Sequence, residues 1–143
     1  MAVVENSVLI ERTQRQMFEL VDRVEDYPHF LPWCDAAEVP ERTEARTLAT
    51  IHVNYHGIAT QFSTENSKDA PRLMEIRLTD GPFTRMDGMW RFTPLGETAC
   101  KVEFRLHWEF AHPVLEKALG PVFKHITSSF IDCFVLRAHK LYG

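Results

Sequence analysis

The chain has 143 residues, of which 45% are hydrophobic and 25% charged, and its formal net charge at pH 7 is −4. This length predicts a single domain, residues 1–143, with a core of its own. The acidic balance shows no block of like charge, which argues against DNA binding. No apolar run approaches the ~20 residues that span a bilayer, so no membrane span is expected and only peripheral membrane contact stays open.

The N-terminus and the cysteines favour a cytoplasmic protein. Met1 to Asn6 lacks the basic-then-apolar pattern of an export signal. Cys34, Cys100 and Cys133 are widely separated and odd in number, so a disulfide framework is not expected. A reducing compartment fits this cysteine usage.

The first quarter of the chain predicts a strand, a short helix and a rigid aromatic segment. Val3 to Ile10 is rich in β-branched residues, as strands are. Thr13 and Gln16 have the spacing of a capping box, which starts a helix. The segment from Tyr27 to Cys34 then places three aromatic residues and two prolines in eight positions. We expect it to close one end of the core, and it could also form the rim of a pocket or a patch that binds a partner.

From residue 36 to residue 110, apolar and polar residues alternate. His56-Gly57 predicts a tight hairpin turn, and Asn66 to Pro71 reads as a polar loop. The clearest strand is the last, where Cys100 to Phe110 has apolar residues on one face and charged residues on the other. That pattern predicts an antiparallel sheet with one buried face and one face in water.

Pro113 to Tyr142 predicts a long C-terminal helix. Gly120-Pro121 interrupts the helical pattern, so we expect a kink or a fresh start there. Strands followed by a terminal helix indicate an α+β layer fold. The apolar stripe that would face the sheet consists of Leu115, Ala118, Leu119, Val122, Ile126, Phe130, Cys133 and Arg137.

A curved sheet over one helix leaves two alternatives, a packed core or an apolar cavity. Ala49, Thr60 and Gly88 are small residues among the large inward-facing ones, and they would leave space in the middle of the sheet. The residues alone favour neither alternative, since pockets are few in any protein.

Several motifs together resemble a known family. They are the Tyr27–Cys34 segment, Asp80-Gly81-Pro82-Phe83, the strand end Trp90-x-Phe92-x-Pro94 and the Phe-rich last helix. In combination these resemble the START-like proteins that bind coenzyme Q, within the polyketide cyclase and lipid transport superfamily, and especially its branch of bacterial ribosome association toxins. The resemblance covers Val4 to Tyr142. It implies a helix-grip fold, in which an antiparallel sheet curls around the C-terminal helix and leaves a cavity.

The first functional hypothesis is non-catalytic binding of a hydrophobic small molecule. The resemblance suggests ubiquinone, carried or presented in support of respiration, with no other cofactor. The expected cavity lining is Phe30, Trp33, Ile51, Val53, Phe62, Ile76, Trp90, Phe104, Val122, Ile126 and Phe130.

Two alternatives stay open. The resemblance implies, first, a toxin of a type II toxin–antitoxin system that binds the large ribosomal subunit and blocks subunit joining. The second is a cyclase-like enzyme, which needs a polar group in the cavity; Arg137 and His125 are the candidates. Arg137 equally fits a side chain that reaches solvent near the helix C-terminus. The seven histidines lack metal-ligand spacing and no catalytic triad stands out, so neither a metal nor an enzyme is expected.

Overall fold

The computed structural model describes residues 2–143 as one antiparallel sheet covered by helices. The predicted α+β helix-grip architecture is confirmed. In chain order the elements are β1 (Ala2–Ile10), α1 (Gln14–Asp22), a 3-10 helix (Val24–His29), β2 (Cys34–Arg42), β3 (Arg46–Tyr55), β4 (Ile58–Asp69), β5 (Leu73–Asp80), β6 (Phe83–Pro94), β7 (Cys100–Phe110), α2 (Pro113–Ser128) and α3 (Phe130–Tyr142).

The seven strands are arranged in the order β1-β7-β6-β5-β4-β3-β2, and every neighbouring pair is antiparallel. Strands β2 to β7 follow one another as a meander, and β1 pairs with β7. The apolar alternation of β7 is confirmed, because Cys100, Val102, Phe104, Leu106, Trp108 and Phe110 are all buried. The hairpin turn at His56-Gly57 is also confirmed, with positive φ at both residues.

The pairing between β5 and β6 is incomplete. It runs from Leu73 opposite Arg91 to Arg77 opposite Asp87 and stops there. Residues 78–80 of β5 and 83–86 of β6 therefore have no partner in each other, although each keeps its other neighbouring strand. A hollow in this part of the sheet is bordered by Arg77, Leu78 and Met86.

The polar loop predicted at Asn66 to Pro71 begins later than predicted. β4 continues to Asp69, and residues 66 to 69 pair with β5. The inward-facing period of two simply continues through polar residues: Phe62, Thr64 and Asn66 are buried in turn. The hydrophobic residues of β4 end before the strand does. The alternation of buried and exposed positions therefore predicts the end of the strand better than hydrophobicity does.

The C-terminal helix breaks at Ser129, and the kink predicted at Gly120-Pro121 is misplaced. α2 runs through Pro121, which is exposed. The hydroxyl groups of Thr127, Ser128 and Ser129 donate to carbonyls three or four residues earlier, at 2.8 to 2.9 Å. Such bonds compete with the helical ladder and bend helices. Asn6 on β1 donates to the Ser128 carbonyl at 3.2 Å and so compensates for the break.

The buried face of the two helices is rotated from the predicted stripe. Of that stripe only Ile126 and Phe130 are buried, and the first turns of α2 are mostly exposed. The buried residues of the two helices are Phe123, Ile126, Thr127, Phe130, Ile131, Phe134 and Ala138. Leu115, Leu119 and Cys133 of the predicted stripe are half-buried and pack against the core.

Candidate functional site

A cavity lies between the inner face of the sheet and helices α2 and α3. About 50 Å³ of it can be reached by the centre of a water molecule. One water needs roughly 10–15 Å³ in this measure, so there is room for a few waters or one small ring. The walls are mostly apolar and consist of Val24, Tyr27, Ala49, Ile51, Phe62, Thr64, Asn66, Met74, Ile76, Met86, Trp90, Phe104, Leu106, Phe123 and Phe130.

The structure brings together about half of the residues predicted to line a cavity. Ile51, Phe62, Ile76, Trp90, Phe104 and Phe130 lie on its wall. Val53, Val122 and Ile126 line a second, much smaller space of about 10 Å³, with Phe123 shared between the two. Phe123 lines both spaces, and its ring centroid lies 4.9 Å from that of Trp108.

Phe30 and Trp33 lie on the wall of neither space. Trp33 is buried behind Phe130, with the two rings stacked at 5.1 Å, and Phe30 packs edge-on against Phe134 at 5.1 Å. Tyr27 is the member of the aromatic segment that reaches the cavity. The segment therefore closes the core and contributes one residue to the wall of the cavity.

Ala49 is the one small residue, of those expected to leave space, that lines the main cavity. Thr60 lines the smaller space. Gly88 serves strand packing, since a Cβ there would come within 2.3 Å of the Arg105 carbonyl oxygen of β7. Thr64 and Asn66 also line the main cavity, and sequence reasoning overlooked them as wall residues.

Asn66 and Thr64 form the polar part of the wall. Asn66 is 6% exposed, and its Oδ1 has no hydrogen-bond partner among residues 2–143. The Tyr27 hydroxyl, by contrast, donates to the Val21 carbonyl at 2.5 Å. Burial, reinforced by the charge of Asp22, raises the pKa of Tyr27 well above its ordinary value. Tyr27 is thus a neutral group, and its hydroxyl already donates its hydrogen bond within the protein.

Neither Arg137 nor His125 lies on the cavity wall. The Arg137 guanidinium lies over the Phe30 ring, 5.3 Å from its centroid, which is a cation–π contact. His125 is exposed, and its ring is 5.5 Å from that of Tyr55. The polar groups that a cyclase-like reaction would require are therefore not supplied by these two residues.

A buried ion pair attaches the N-terminal helices to the sheet. Asp22, at the end of α1, accepts hydrogen bonds from Lys68 at 3.1 Å and Thr47 at 2.8 Å. Arg42 donates to the Asp22 carbonyl and to both carboxylate oxygens of Glu25, each at 2.7 Å. The hydrogen bond from Arg42 lowers the pKa of Glu25. These contacts attach α1 and the 3-10 helix to strands β2, β3 and β4.

The outer surface of α2 and α3 differs electrostatically from the sheet. Of the eleven ion pairs found within residues 2–143, none involves either helix. Lys117 and Lys124 are exposed and lie seven residues apart in α2, which places them on one face of that helix, and we call this face the helix ridge. Lys140 of α3 is exposed as well. On the outer face of the sheet, Arg46, Arg77, Arg85 and Arg105 are each paired with an acidic residue.

Two further features of the structure bear on function. Of the helices that the structure describes, none is both long and apolar enough to span a membrane. Within residues 2–143, no three His, Cys, Asp or Glu side chains cluster as metal ligands would.

A curved antiparallel sheet that grips a C-terminal helix over an apolar cavity defines a START-like protein. Residues 10–135 match the family described as polyketide cyclase / dehydrase and lipid transport. The chain belongs to this family. Its fold is also that of a START superfamily protein from Mycobacterium smegmatis, with a TM-score of 0.76 at 19% identity over 97% of this chain and 98% of the other.

Similar proteins carry different names. The ribosome association toxin RatA of Vibrio cholerae is 41% identical over 100% of this chain and 99% of its own. The mitochondrial coenzyme Q-binding protein COQ10 homolog B of Xenopus laevis is 24% identical over 90% of this chain and 54% of its own. The Zhui aromatase/cyclase of a Streptomyces species has the same fold, with a TM-score of 0.84 at 16% identity over 99% of this chain and 96% of the other.

Proposed function

We propose that this protein associates with the ribosome, binds the large subunit and blocks the joining of the two subunits. The proposal is supported by relatives named ribosome association toxins, which match along the whole chain at up to 41% identity. It reverses the order of the sequence-based hypotheses, which put ubiquinone binding first. A protein with this role acts in the cytoplasm and works without a catalytic group.

The observation that carries the proposal is the charge on the helix ridge. The chain as a whole has a net charge of −4, which opposes binding to RNA. Lys117 and Lys124 nevertheless have no acidic partner within residues 2–143, so their ammonium groups are available to phosphates. Phosphate contacts dominate the affinity of proteins for nucleic acids. The helix ridge is therefore the proposed surface of contact with ribosomal RNA.

Sedimentation tests this function directly. Purified ribosomal subunits are mixed at a Mg²⁺ concentration that permits association, with and without the protein, and separated on a sucrose gradient. We expect the protein to sediment with the large subunit and the peak of joined ribosomes to decrease. Unchanged subunit joining, with the protein left at the top of the gradient, would contradict the proposal.

A pair of charge-reversed variants tests the surface. Lys117→Glu with Lys124→Glu removes two cations from the helix ridge. Arg91→Glu with Lys101→Glu makes the same change in net charge on β6 and β7, whose two residues also lack an ion pair. We expect only the first variant to lose association. Equal loss in both would mean that overall charge matters and the helix ridge does not.

A second candidate function is the binding of a hydrophobic ligand in the cavity. It is favoured by the mostly apolar walls and by the distant likeness to a protein named for coenzyme Q binding. The space is small, however, compared with the roughly 300–1,000 Å³ of pockets for drug-sized ligands. A whole ubiquinone with its isoprenoid tail does not fit unless side chains such as Phe123 move. A ring without the tail fits the volume better.

Mass spectrometry of an organic extract of the purified protein tests this second function. A quinone or another lipid in stoichiometric amount would support it, while repeated clean extracts would count against it. We further propose that the protein is not an enzyme, because its relatives at 41% identity are named toxins and the candidate polar residues lie away from the cavity.

A further inference from the structure

The first strand of the sheet, β1, has a free edge. It is the terminal strand of the sheet and pairs with β7 on one side only. Within residues 2–143, no main-chain or side-chain group outside the sheet forms a hydrogen bond with the main chain of β1. Alternate N–H and C=O groups of this strand therefore point away from the sheet and can bind another strand.

The opposite edge of the sheet, β2, is protected against such pairing. β2 contains Pro40, and its pairing with β3 is interrupted by two shifts of register. Proline and bulges are two means by which edge strands avoid other chains. β1 has neither, because its nine residues contain no proline and pair with β7 without a shift. Of the two edges, β1 is therefore the one that is open to another strand.

The outer face of β1 also exposes two large apolar side chains. Val3 and Leu9 are 47% and 69% exposed. They lie on the same face of the strand, because an even number of positions separates them. Asn6 belongs to the inner face, where it donates to the Ser128 carbonyl at 3.2 Å. The helices thus contact β1 from the side opposite to Val3 and Leu9.

The sequence of β1 is self-complementary in polarity. Residues 2–4 are apolar, residues 5–7 are polar and residues 8–10 are apolar again. An antiparallel copy centred on Asn6 therefore places apolar residues opposite apolar residues and polar residues opposite polar ones. Apolar pairs across neighbouring strands stabilise a sheet. A second β1 is thus a partner of matching chemistry for this edge.

The same sequence selects one register. With Asn6 opposite Asn6 of the copy, Val3 lies opposite Leu9 and Glu5 lies opposite Ser7. A shift of two residues in one direction would place Glu5 opposite Glu5, and the same shift in the other direction would place it opposite Leu9. Like charges directly opposite each other are destabilising. In the centred register, Glu5 also keeps its ion pair with Arg105 of β7, at 3.3 Å.

We infer that β1 pairs with β1 of a second copy of this chain, antiparallel and centred on Asn6. The pairing joins two seven-stranded sheets into one and makes a two-fold symmetric dimer. It is independent of the proposed ribosome contact and of the cavity. A single pair of strands buries less than the roughly 1,600 Å² of a standard stable interface. The dimer is therefore reversible and forms at high protein concentration.

Sedimentation velocity over a range of protein concentrations tests the dimer. The average mass of the wild-type protein should rise from that of one chain towards twice that value. Leu9→Lys should weaken dimerisation by about tenfold or more, because lysine disfavours pairing at an edge and each dimer contains the altered contact twice. Leu136→Lys on α3 is the matched control, since Leu136 is 70% exposed and Leu9 is 69% exposed. It should dimerise like the wild-type protein.

A mixture of Val3→Cys and Leu9→Cys proteins tests the register. In a mixed dimer the two introduced thiols face each other at a distance that a disulfide can span. In a dimer of either variant alone, the introduced thiols are roughly 20 Å apart along the strands. Under mild oxidation, we expect the mixture to form a covalent dimer about tenfold faster than either variant alone. Wild-type protein, with its own three cysteines, gives the background rate.

Three results would overturn the inference. One is a wild-type protein that remains monomeric at every concentration, which would leave the edge of β1 to a strand of some other protein. Another is the same degree of dimerisation in Leu9→Lys and Leu136→Lys, whether lowered or unchanged. The third is a mixture of the cysteine variants that cross-links no faster than each variant alone. This last comparison decides even if Leu9→Lys fails to fold.

Discussion

At the scale of single residues, Asp22 connects α1 to three strands, β2 through Arg42, β3 through Thr47 and β4 through Lys68. Its carboxylate accepts from Lys68 and Thr47, and the side chains of Asp22 and Lys68 are only 15% and 5% exposed. Asp22→Asn leaves the Lys68 ammonium group buried without a compensating charge. We expect a loss of about 3 kcal/mol in the free energy of unfolding, because breaking a buried pair from one side is strongly destabilising. Urea denaturation measures the change.

The exposed pair of Asp69 and Arg72 provides the control for that experiment. Their side chains are 64% and 57% exposed, and the pair is only three residues apart in sequence. Asp69→Asn should cost less than about 1 kcal/mol, as surface pairs do. Similar losses in the two variants would show that the Asp22 pair has no special structural weight.

Tyr27 gives a residue-scale prediction about alkaline pH. Burial, together with the negative charge of Asp22, raises its pKa above the ordinary value near 10. The unfolded chain loses this proton near pH 10 while the folded protein keeps it. The stability that depends on a protonated Tyr27 is therefore complete below about pH 10 and decreases as the pH rises above it.

Absorbance at 295 nm, where tyrosinate absorbs, measures this titration. Of the three tyrosines, Tyr27 should ionise only when the protein unfolds in strong alkali. Tyr27→Phe should lack that late, unfolding-linked step. A Tyr27 signal that titrates reversibly with the folded protein near pH 10 would refute the prediction.

At the scale of elements, two glycines differ in what they allow. At Gly88 of β6 a Cβ would lie 2.3 Å from the Arg105 carbonyl oxygen of β7, which is backbone and cannot turn away. At Gly120 of α2 a Cβ would meet only the end of the flexible Glu116 side chain, at 3.2 Å. We expect Gly88→Ala to destabilise the protein by roughly 1–3 kcal/mol. Gly120→Ala should instead stabilise it by about 0.5–1 kcal/mol, because alanine favours the helix.

Thermal unfolding of both variants compares these effects under one set of conditions. The sign is the decisive result, since the two substitutions are chemically identical. A stabilising Gly88→Ala would mean that β6 and β7 can separate without loss of packing.

How far the sequence predicts the elements depends on what determines each one. The strand β7 and the capping box of α1 were predicted because alternation and capping act over a few residues. The end of α2 was misplaced because the signal lay in the hydroxyls of Thr127, Ser128 and Ser129, which mattered more than Pro121. Asn66 was missed because a polar residue inside a strand reads as a loop unless its position in the alternation is followed.

At the scale of the whole molecule, the sequence cannot show the volume of the cavity. That volume is the space enclosed by the curved sheet minus the volume of the side chains that fill it. It therefore depends on which face of the helices is buried, and on Phe123 in particular. The family resemblance supplied the expectation of a cavity. The size of the cavity, the unpaired oxygen of Asn66 and the unpaired lysines of the helix ridge are visible only in the structure.

The proposed ribosome contact predicts a dependence on salt for the whole protein. Each phosphate contact makes the slope of log affinity against log salt concentration steeper by about one. Binding to the large subunit should therefore weaken as KCl is raised, and Lys117→Glu with Lys124→Glu should give a shallower slope. Affinities measured by fluorescence anisotropy at several KCl concentrations test this. A slope that is the same for this variant and for the wild-type protein would exclude these lysines from the contact.

The incomplete pairing of β5 and β6 also bears on how a molecule from solvent reaches the cavity. Met86 lies on the cavity wall and also on the hollow where the two strands diverge. We therefore expect a guest molecule to enter beside Met86, whose flexible thioether side chain can be displaced more easily than a strand. Deuterium uptake within β5 and β6 should be fastest at residues 78–80 and 83–86, which lack a partner in each other. It should slow at these residues when a guest molecule occupies the cavity.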